Sequence, residues 1–166
     1  MKQYTPIPLS MIFPLTPHSP DFGISWITSS EASQLPNKTS AIPGTDNFIT
    51  GLDVFHQLHC LNMIRQALHP HYYKDHLASH EDSEGSHVGH CIEHLRLAIM
   101  CNADISTVYW QWNARKQVTQ ADARITHTCR DFDAIREWGM ERQVTEAFDY
   151  ETFVDGNPVF SEEDYV

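Results

Sequence analysis

The sequence predicts a mainly α-helical fold: a small helical domain with two metal-binding helices, preceded by a long irregular N-terminal arm and containing little β structure. Two segments repeat apolar residues at helical spacing, and each carries the motif His-x-x-His-Cys. Seven of the nine prolines lie within the first 50 residues, where they oppose regular structure. We therefore predict a proline-rich arm over 1–47, a helical metal-binding domain over 48–150 and an acidic tail over 151–166.

Composition and charge narrow the classes of function. The chain has 166 residues, which fits one domain with a buried core. Its net charge of −11 disfavours nucleic acid and anionic membrane surfaces as partners, because both attract clusters of Lys and Arg. Nine of the eleven histidines lie between His56 and His94, and such a density points to metal binding.

The first 50 residues are predicted to be extended loop with one short strand. The opening MKQYTPIPLSMIFPLTPHSP holds five prolines in 20 residues, a density that breaks any apolar helix. We therefore find neither a signal peptide nor a transmembrane helix in it. FGISWITS (Phe22–Ser29) is the exception, since its β-branched and aromatic residues favour a strand.

The first helix is predicted over Leu52–Leu68, with Thr50 as its N-cap and Pro70 just after its end. Its apolar stripe consists of Val54, Leu58, Leu61 and Leu68. At about 100° per residue, His56 and His59 lie roughly opposite that stripe. The helix therefore has a core face and a separate histidine face.

A second helix is predicted over His87–Asn102, after a polar connector. Its apolar stripe consists of Val88, Ile92, Leu95 and Ile99. His87, His90 and His94 share another face of this helix. Two such helices packed antiparallel could bring their histidine faces together.

The remaining elements are less regular. STVYWQWN (Ser106–Asn113) favours a strand, and a third helix is predicted over Arg130–Gln143. Trp110 and Trp112 could wall a substrate pocket, although packing in a core or an interface is the commoner fate of tryptophan.

The doubled His-x-x-His pattern has a chemical reason. Residues three apart on a helix are neighbours, so two imidazoles at that spacing can bind one metal ion. Imidazole suits Zn, Cu, Fe and Ni, so the ligand type does not select the metal. One such pair is commonly two exposed histidines that bind no metal. Two copies, each followed by cysteine, predict a metal site. Its ligands are His56, His59, His87 and His90.

Three further residues have two interpretations each. His94, one turn after His90, is an additional ligand or an ordinary exposed residue, and we favour the second. Asp104 caps the end of the second helix or accepts a hydrogen bond that orients an imidazole. His127 completes a ligand set or lies at the entry of the third helix.

The cysteines could form two disulfides or supply thiolates to a metal. Cys-x-x-Cys spacing is absent, and each motif cysteine is rotated by about 100° from the histidine before it. Disulfides fit better, provided that the compartment is oxidising. The four candidates are Cys60, Cys91, Cys101 and Cys129.

Three blocks together resemble the fungal UstYa-like oxidase family: VFHQLHCLNMIR (Val54–Arg65), HVGHCIEHLRLAIMCNAD (His87–Asp104) and HTCRDFDAIREW (His127–Trp138). Members of that family are tailoring enzymes of secondary-metabolite clusters. The resemblance implies a copper-dependent oxidase or halogenase that acts on an unactivated C–H bond of a peptide or small metabolite. Hydroxylation, halogenation, desaturation and oxidative cyclisation are the outcomes it implies.

The resemblance also implies roles for single residues. It makes the paired histidines catalytic copper ligands: His56, His59, His87 and His90. It makes the four cysteines structural disulfides of unspecified pairing. Asp104 and His127 match further motif positions without a clear role. We expect one or two copper ions, with O₂ as co-substrate.

Several alternatives stay open. The chain could be a non-catalytic zinc-stabilised binding module, or an accessory partner of an active homologue. A homodimer and a complex with another oxidase of the family also stay open. Family members usually begin with a transmembrane helix, whereas this chain begins with prolines. The compartment is therefore a secretory or vesicle lumen if an anchor precedes these residues, and the cytoplasm otherwise.

Overall fold

The computed structural model describes residues 23–73, 87–122, 124–145, 149 and 151–159. In chain order the elements are β1 (Ile24–Thr28), α1 (Ser29–Ala32), β2 (Asn47–Gly51), α2 (Asp53–Ala67), α3 (His87–Asn102), β3 (Tyr109–Asn113), β4 (Val118–Asp122) and α4 (Phe132–Glu141). The chain divides into two compact units. The described residues of Cys60–Phe132 belong to one, and those of Leu15–His59 and Asp133–Val166 belong to the other.

The prediction of a mainly α-helical fold is wrong. Helices account for 38% of the structure and strands for 18%, in two small antiparallel sheets. The arm that was predicted to be irregular contains β1 and α1, and β2 begins at its last residue. Strand β2 was missed because its partner β1 lies some 20 residues earlier, with Ile24 opposite Gly51 and Thr28 opposite Asn47. Pairing at that distance leaves no local periodicity in the sequence.

In the unit that contains β1, Arg142 contacts residues of three elements, β1, α1 and α4. The guanidinium of Arg142 lies 5.5 Å from the ring centre of Trp26 and 4.8 Å from that of Trp138. Its Nη1 also donates to Oε1 of Glu31 at 2.7 Å. That bond is the main reason why the pKa of Glu31 falls to about 2, and the capping hydrogen bonds from Thr28 add to it.

Phe55 is the apolar anchor of the same unit, with 3% of its surface exposed. Two glycines make room for it. A Cβ atom at Gly139 would lie 2.8 Å from Phe55 Cε2, and one at Gly23 would lie 2.9 Å from Phe55 Cβ. Gly23 also has a φ of +97°, which disfavours any other residue there.

The two histidine-bearing helices are confirmed almost to the residue, as Asp53–Ala67 and His87–Asn102. The third helix is shorter than predicted, at Phe132–Glu141. The prediction of Thr50 as N-cap is wrong, because β2 continues through Gly51 and the helix begins two residues later.

The predicted core stripes of these helices are only partly correct, since Leu95 packs against the buried core but other stripe residues are exposed. The buried cluster of the other unit consists of Cys60 and Met63 from α2 with Cys91 from α3. By contrast, Leu61 is 48% exposed and Ile99 is 71% exposed. The motif cysteines therefore face the core, where the leucine stripe was expected.

The hairpin of β3 and β4 pairs Tyr109 with Asp122 and Asn113 with Val118. Its strand β3 confirms the β-prone STVYWQWN segment in part. Trp110 is 68% exposed and Trp112 is 60% exposed, so neither is buried in a core. Within the described ranges, no helix is both long enough and apolar enough to cross a bilayer.

Candidate metal-binding histidines

The histidines of the first motif lie side by side on α2. The ring centres of His56 and His59 are 6.2 Å apart, and the ring planes differ by 13°. Both residues are exposed. The spacing follows from the helix, because residues three apart lie on one side, one turn above each other.

A carboxylate accompanies this pair. Oδ1 of Asp53 lies 4.0 Å from Nδ1 of His56, and Gln57 Nε2 donates to Asp53 Oδ2 at 2.6 Å. Asp53 is not among the site residues predicted from the sequence. Its position three residues before His56 was the available signal, because Asp-x-x-His places both groups on one face.

Three histidines share a face of α3. The ring centres of His87 and His90 are 6.3 Å apart, and those of His90 and His94 are 6.0 Å apart. His90 is exposed, whereas His87 and His94 are half-buried. The structure thus places the histidines of each motif next to each other on their own helix.

The motif cysteines are buried next to the histidine pairs. Cys60 directly follows His59, Cys91 directly follows His90, and both cysteines are 0% exposed. Each cysteine is about 100° around the helix from the histidine directly before it, but only about 40° from the first histidine of its motif, four residues earlier. The histidine pairs therefore lie at the border of the buried face, with His56, His59 and His90 exposed.

The structure records all four cysteines as thiols rather than disulfides. It does not support the disulfides that we expected. Cys101 and Cys129 are exposed, in contrast to the two motif cysteines.

Asp104 and His127 form a pair of their own. Nδ1 of His127 contacts Oδ2 of Asp104, and the backbone N–H of Ser106 donates to Oδ1 at 2.8 Å. Hydrogen bonds from Ser106, followed by the one from His127, lower the pKa of Asp104 to about 2. The carboxylate is thus ionised at neutral pH and orients the imidazole of His127.

This pair lies at the opposite end of α3 from the second motif. Asp104 follows the last turn, and at 1.5 Å per residue it is roughly 20 Å along the axis from His90. Asp104 therefore orients His127 and not the imidazoles of α3. The side chains of the pair are about half-exposed.

Both histidine pairs suit a transition-metal ion, in the chemistry of their ligand atoms and in the distance between their rings. A metal–nitrogen bond is about 2.0 Å, so two imidazoles on one ion have ring centres about 5 Å apart. The observed separations of 6.2 and 6.3 Å are about 1 Å longer. Small side-chain rotations close that gap, because His56, His59 and His90 are exposed.

Comparison with known families agrees with the doubled motif. The family model described as mycotoxin biosynthesis protein UstYa matches residues 18–142, which include both histidine pairs and the Asp104–His127 pair. The chain belongs to the UstYa family.

Named relatives of the UstYa family are similar to this chain. UstYa family oxidase phomYc′ of Diaporthe leptostromiformis is 37% identical over 109 residues, which are 63% of this chain and 43% of that protein. UstYa family oxidase aprY of Aspergillus flavus is 36% identical over 109 residues, 61% of this chain and 32% of that protein. Oxidase ustYa of Aspergillus flavus is 31% identical over 126 residues, 74% of this chain and 55% of that protein.

The chain therefore spans less than two thirds of the length of each of these relatives. No solved structure matches it.

Proposed function

We propose that the protein is a copper-dependent oxidative tailoring enzyme of secondary-metabolite biosynthesis. Its substrate is a peptide or small metabolite, and the bond attacked is an unactivated C–H bond. Membership of the UstYa family and the relatives named as oxidases support an oxidative role. The observation that carries the proposal is the doubled arrangement of adjacent imidazoles, each pair followed directly by a buried cysteine.

The proposed ligands are His56 and His59 for one copper ion, and His87 and His90 for another. Each pair supplies two nitrogens from one rigid helix, so it needs no other segment to chelate an ion. Two protein ligands leave coordination positions open for O₂ and substrate, which is the property of a catalytic rather than a structural site.

When bound, copper supplies the one-electron and O₂ chemistry that protein side chains lack. The chain's own residues hold and orient it. Asp53 lies beside Nδ1 of His56, so we assign Nε2 of His56 to the metal and Nδ1 to the carboxylate side. The substrate then decides between hydroxylation, halogenation, desaturation and cyclisation.

Metal stoichiometry is the direct test of the proposed ligands. Apo protein is titrated with Cu(I) and Cu(II), and the bound copper is measured after gel filtration. We expect one ion per pair, so His56→Ala/His59→Ala and His87→Ala/His90→Ala should each lose one of the two. The control His69→Ala/His71→Ala, in the exposed turn after α2, should lose neither.

Activity is tested by incubating copper-loaded protein with intermediates of its own pathway and O₂, with and without chloride, and weighing the products. A mass gain of one oxygen, a loss of two hydrogens or exchange of hydrogen for chlorine supports the proposal. One tightly held zinc, no copper uptake and no O₂ consumption would instead identify a zinc-stabilised binding module. Full activity of a His56→Ala/His90→Ala variant in a reconstituted pathway would identify an accessory partner.

A further inference from the structure

Helix α3 presents more imidazoles than its motif requires. His94 is one turn beyond His90, and their ring centres, at 6.0 Å, are closer than those of His87 and His90, at 6.3 Å. The ring planes of His90 and His94 differ by 34°, against 61° for the motif pair. By the distance between the ring centres and the angle between the ring planes, His90 and His94 are placed at least as well to bind one ion as His87 and His90 are.

Helix geometry favours the same pairing. At about 100° per residue, His90 and His94 lie about 40° apart around the axis, whereas His87 and His90 lie about 60° apart. A spacing of four residues is the one by which two histidines of a single helix bind zinc in metalloproteases. The His90–His94 pair thus has the geometry of a helical metal chelate.

The backbone around His94 is also well anchored. The next residue, Leu95, packs against the buried cluster that contains Cys91. His94 itself is half-buried, as His87 is, so its imidazole has fewer rotamers to lose on binding a metal than a fully exposed side chain has.

We propose that His94 is a further metal ligand, and that His90 is shared by two overlapping chelating pairs, His87–His90 and His90–His94. This inference rests on the proposed copper binding by α3. One ion cannot readily use all three rings, because His87 and His94 are about 10.5 Å apart along the axis. The ion therefore occupies either pair, and His90 is the ligand common to both.

The sharing makes His90 indispensable and its two neighbours partly interchangeable. The apparent association constant for copper is the sum of the association constants of the two overlapping pairs. If the two pairs have equal affinity, loss of either neighbour of His90 should therefore weaken copper binding by only about twofold. Loss of His90 removes both pairs. It should weaken binding at least roughly tenfold, since even residues that merely support a ligand cost that much.

The test measures copper affinity by competition with a chromophoric chelator, in the full chain with His56→Ala/His59→Ala as background. In that background, His90→Ala and the His87→Ala/His94→Phe variant should bind copper equally poorly. His87→Ala and His94→Phe alone should each retain most of the binding. Electron paramagnetic resonance of the Cu(II) form should show two nitrogen ligands in both single variants.

Two results separate the possible failures. If His94→Phe binds copper as the background does and His87→Ala binds as poorly as His90→Ala, His94 is no ligand, although copper binding by the motif stands. If the background protein binds no copper at all, the proposed metal site on α3 and this inference fail together. Far-UV circular dichroism confirms that each variant is folded, and His71→Ala is the matched histidine control outside the helix.

Discussion

Replacing Met63 by alanine tests which face of α2 is buried. Met63 is 4% exposed and packs with Cys60 and Cys91. Leu61, two residues earlier, is 48% exposed although the apolar stripe of the sequence placed it inside. Full burial of such a side chain contributes about 1.5–3 kcal/mol, and the cavity left by Met→Ala raises the cost to about 2–5 kcal/mol. We expect Leu61→Ala to cost about 1 kcal/mol, since only half of its surface leaves water.

The free energy of unfolding is measured by urea titration, followed by circular dichroism at 222 nm, for the parent and both variants. The slope of the transition should stay the same, so the midpoint alone should report the difference. A Leu61→Ala variant that is destabilised more than Met63→Ala would refute this assignment of the buried face.

Three other predictions follow from single contacts. Ser25→Ala should leave the free energy of unfolding unchanged or raise it by up to about 1 kcal/mol, because Ser25 Oγ is buried and has no hydrogen-bond partner among the described residues. Gly139→Ala should lower the free energy of unfolding by about 1–3 kcal/mol, because the new Cβ would meet the Phe55 ring. The pKa of Asp104 is lowered from 3.8 to about 2 in the folded protein, so its contribution to stability is present above pH 4 and is lost as pH falls towards 2. In urea titrations between pH 2 and 7, the Asp104→Asn variant should therefore be less stable than the parent at pH 7, and the difference should shrink below pH 4. The same pH dependence in parent and variant would contradict the role of the Asp104–His127 pair.

The location of the two long helices was predictable because helical order is local. Apolar residues at spacings of three and four, with Pro70 just after the first helix, mark both segments within a few residues. The adjacency of His56 with His59, and of His87 with His90, follows from the same spacing. The resemblance to the UstYa family also depends on these motifs, and the match to the family model confirms it.

The buried faces of the helices were not predictable, because apolar residues surround α2. Val54, Leu58 and Leu61 form one plausible stripe, whereas Phe55 and Met63 are the residues that the structure buries. Only the neighbours of a helix select one face from several candidates. Met63 is buried because it packs beside Cys91, and Phe55 is buried because it packs beside two glycines.

By itself, the amino-acid sequence determined the helices α2 and α3, the adjacency of the motif histidines along each, and the family. Tertiary structure alone decided the pairing of β1 with β2, the burial of Cys60 and Cys91, and the contact of Asp104 with His127. The physical reason is the range of the interactions. Helix formation depends on residues within four positions. By contrast, the β1–β2 pairing, the packing of Cys60 with Cys91 and the Asp104–His127 contact join residues 19 or more positions apart.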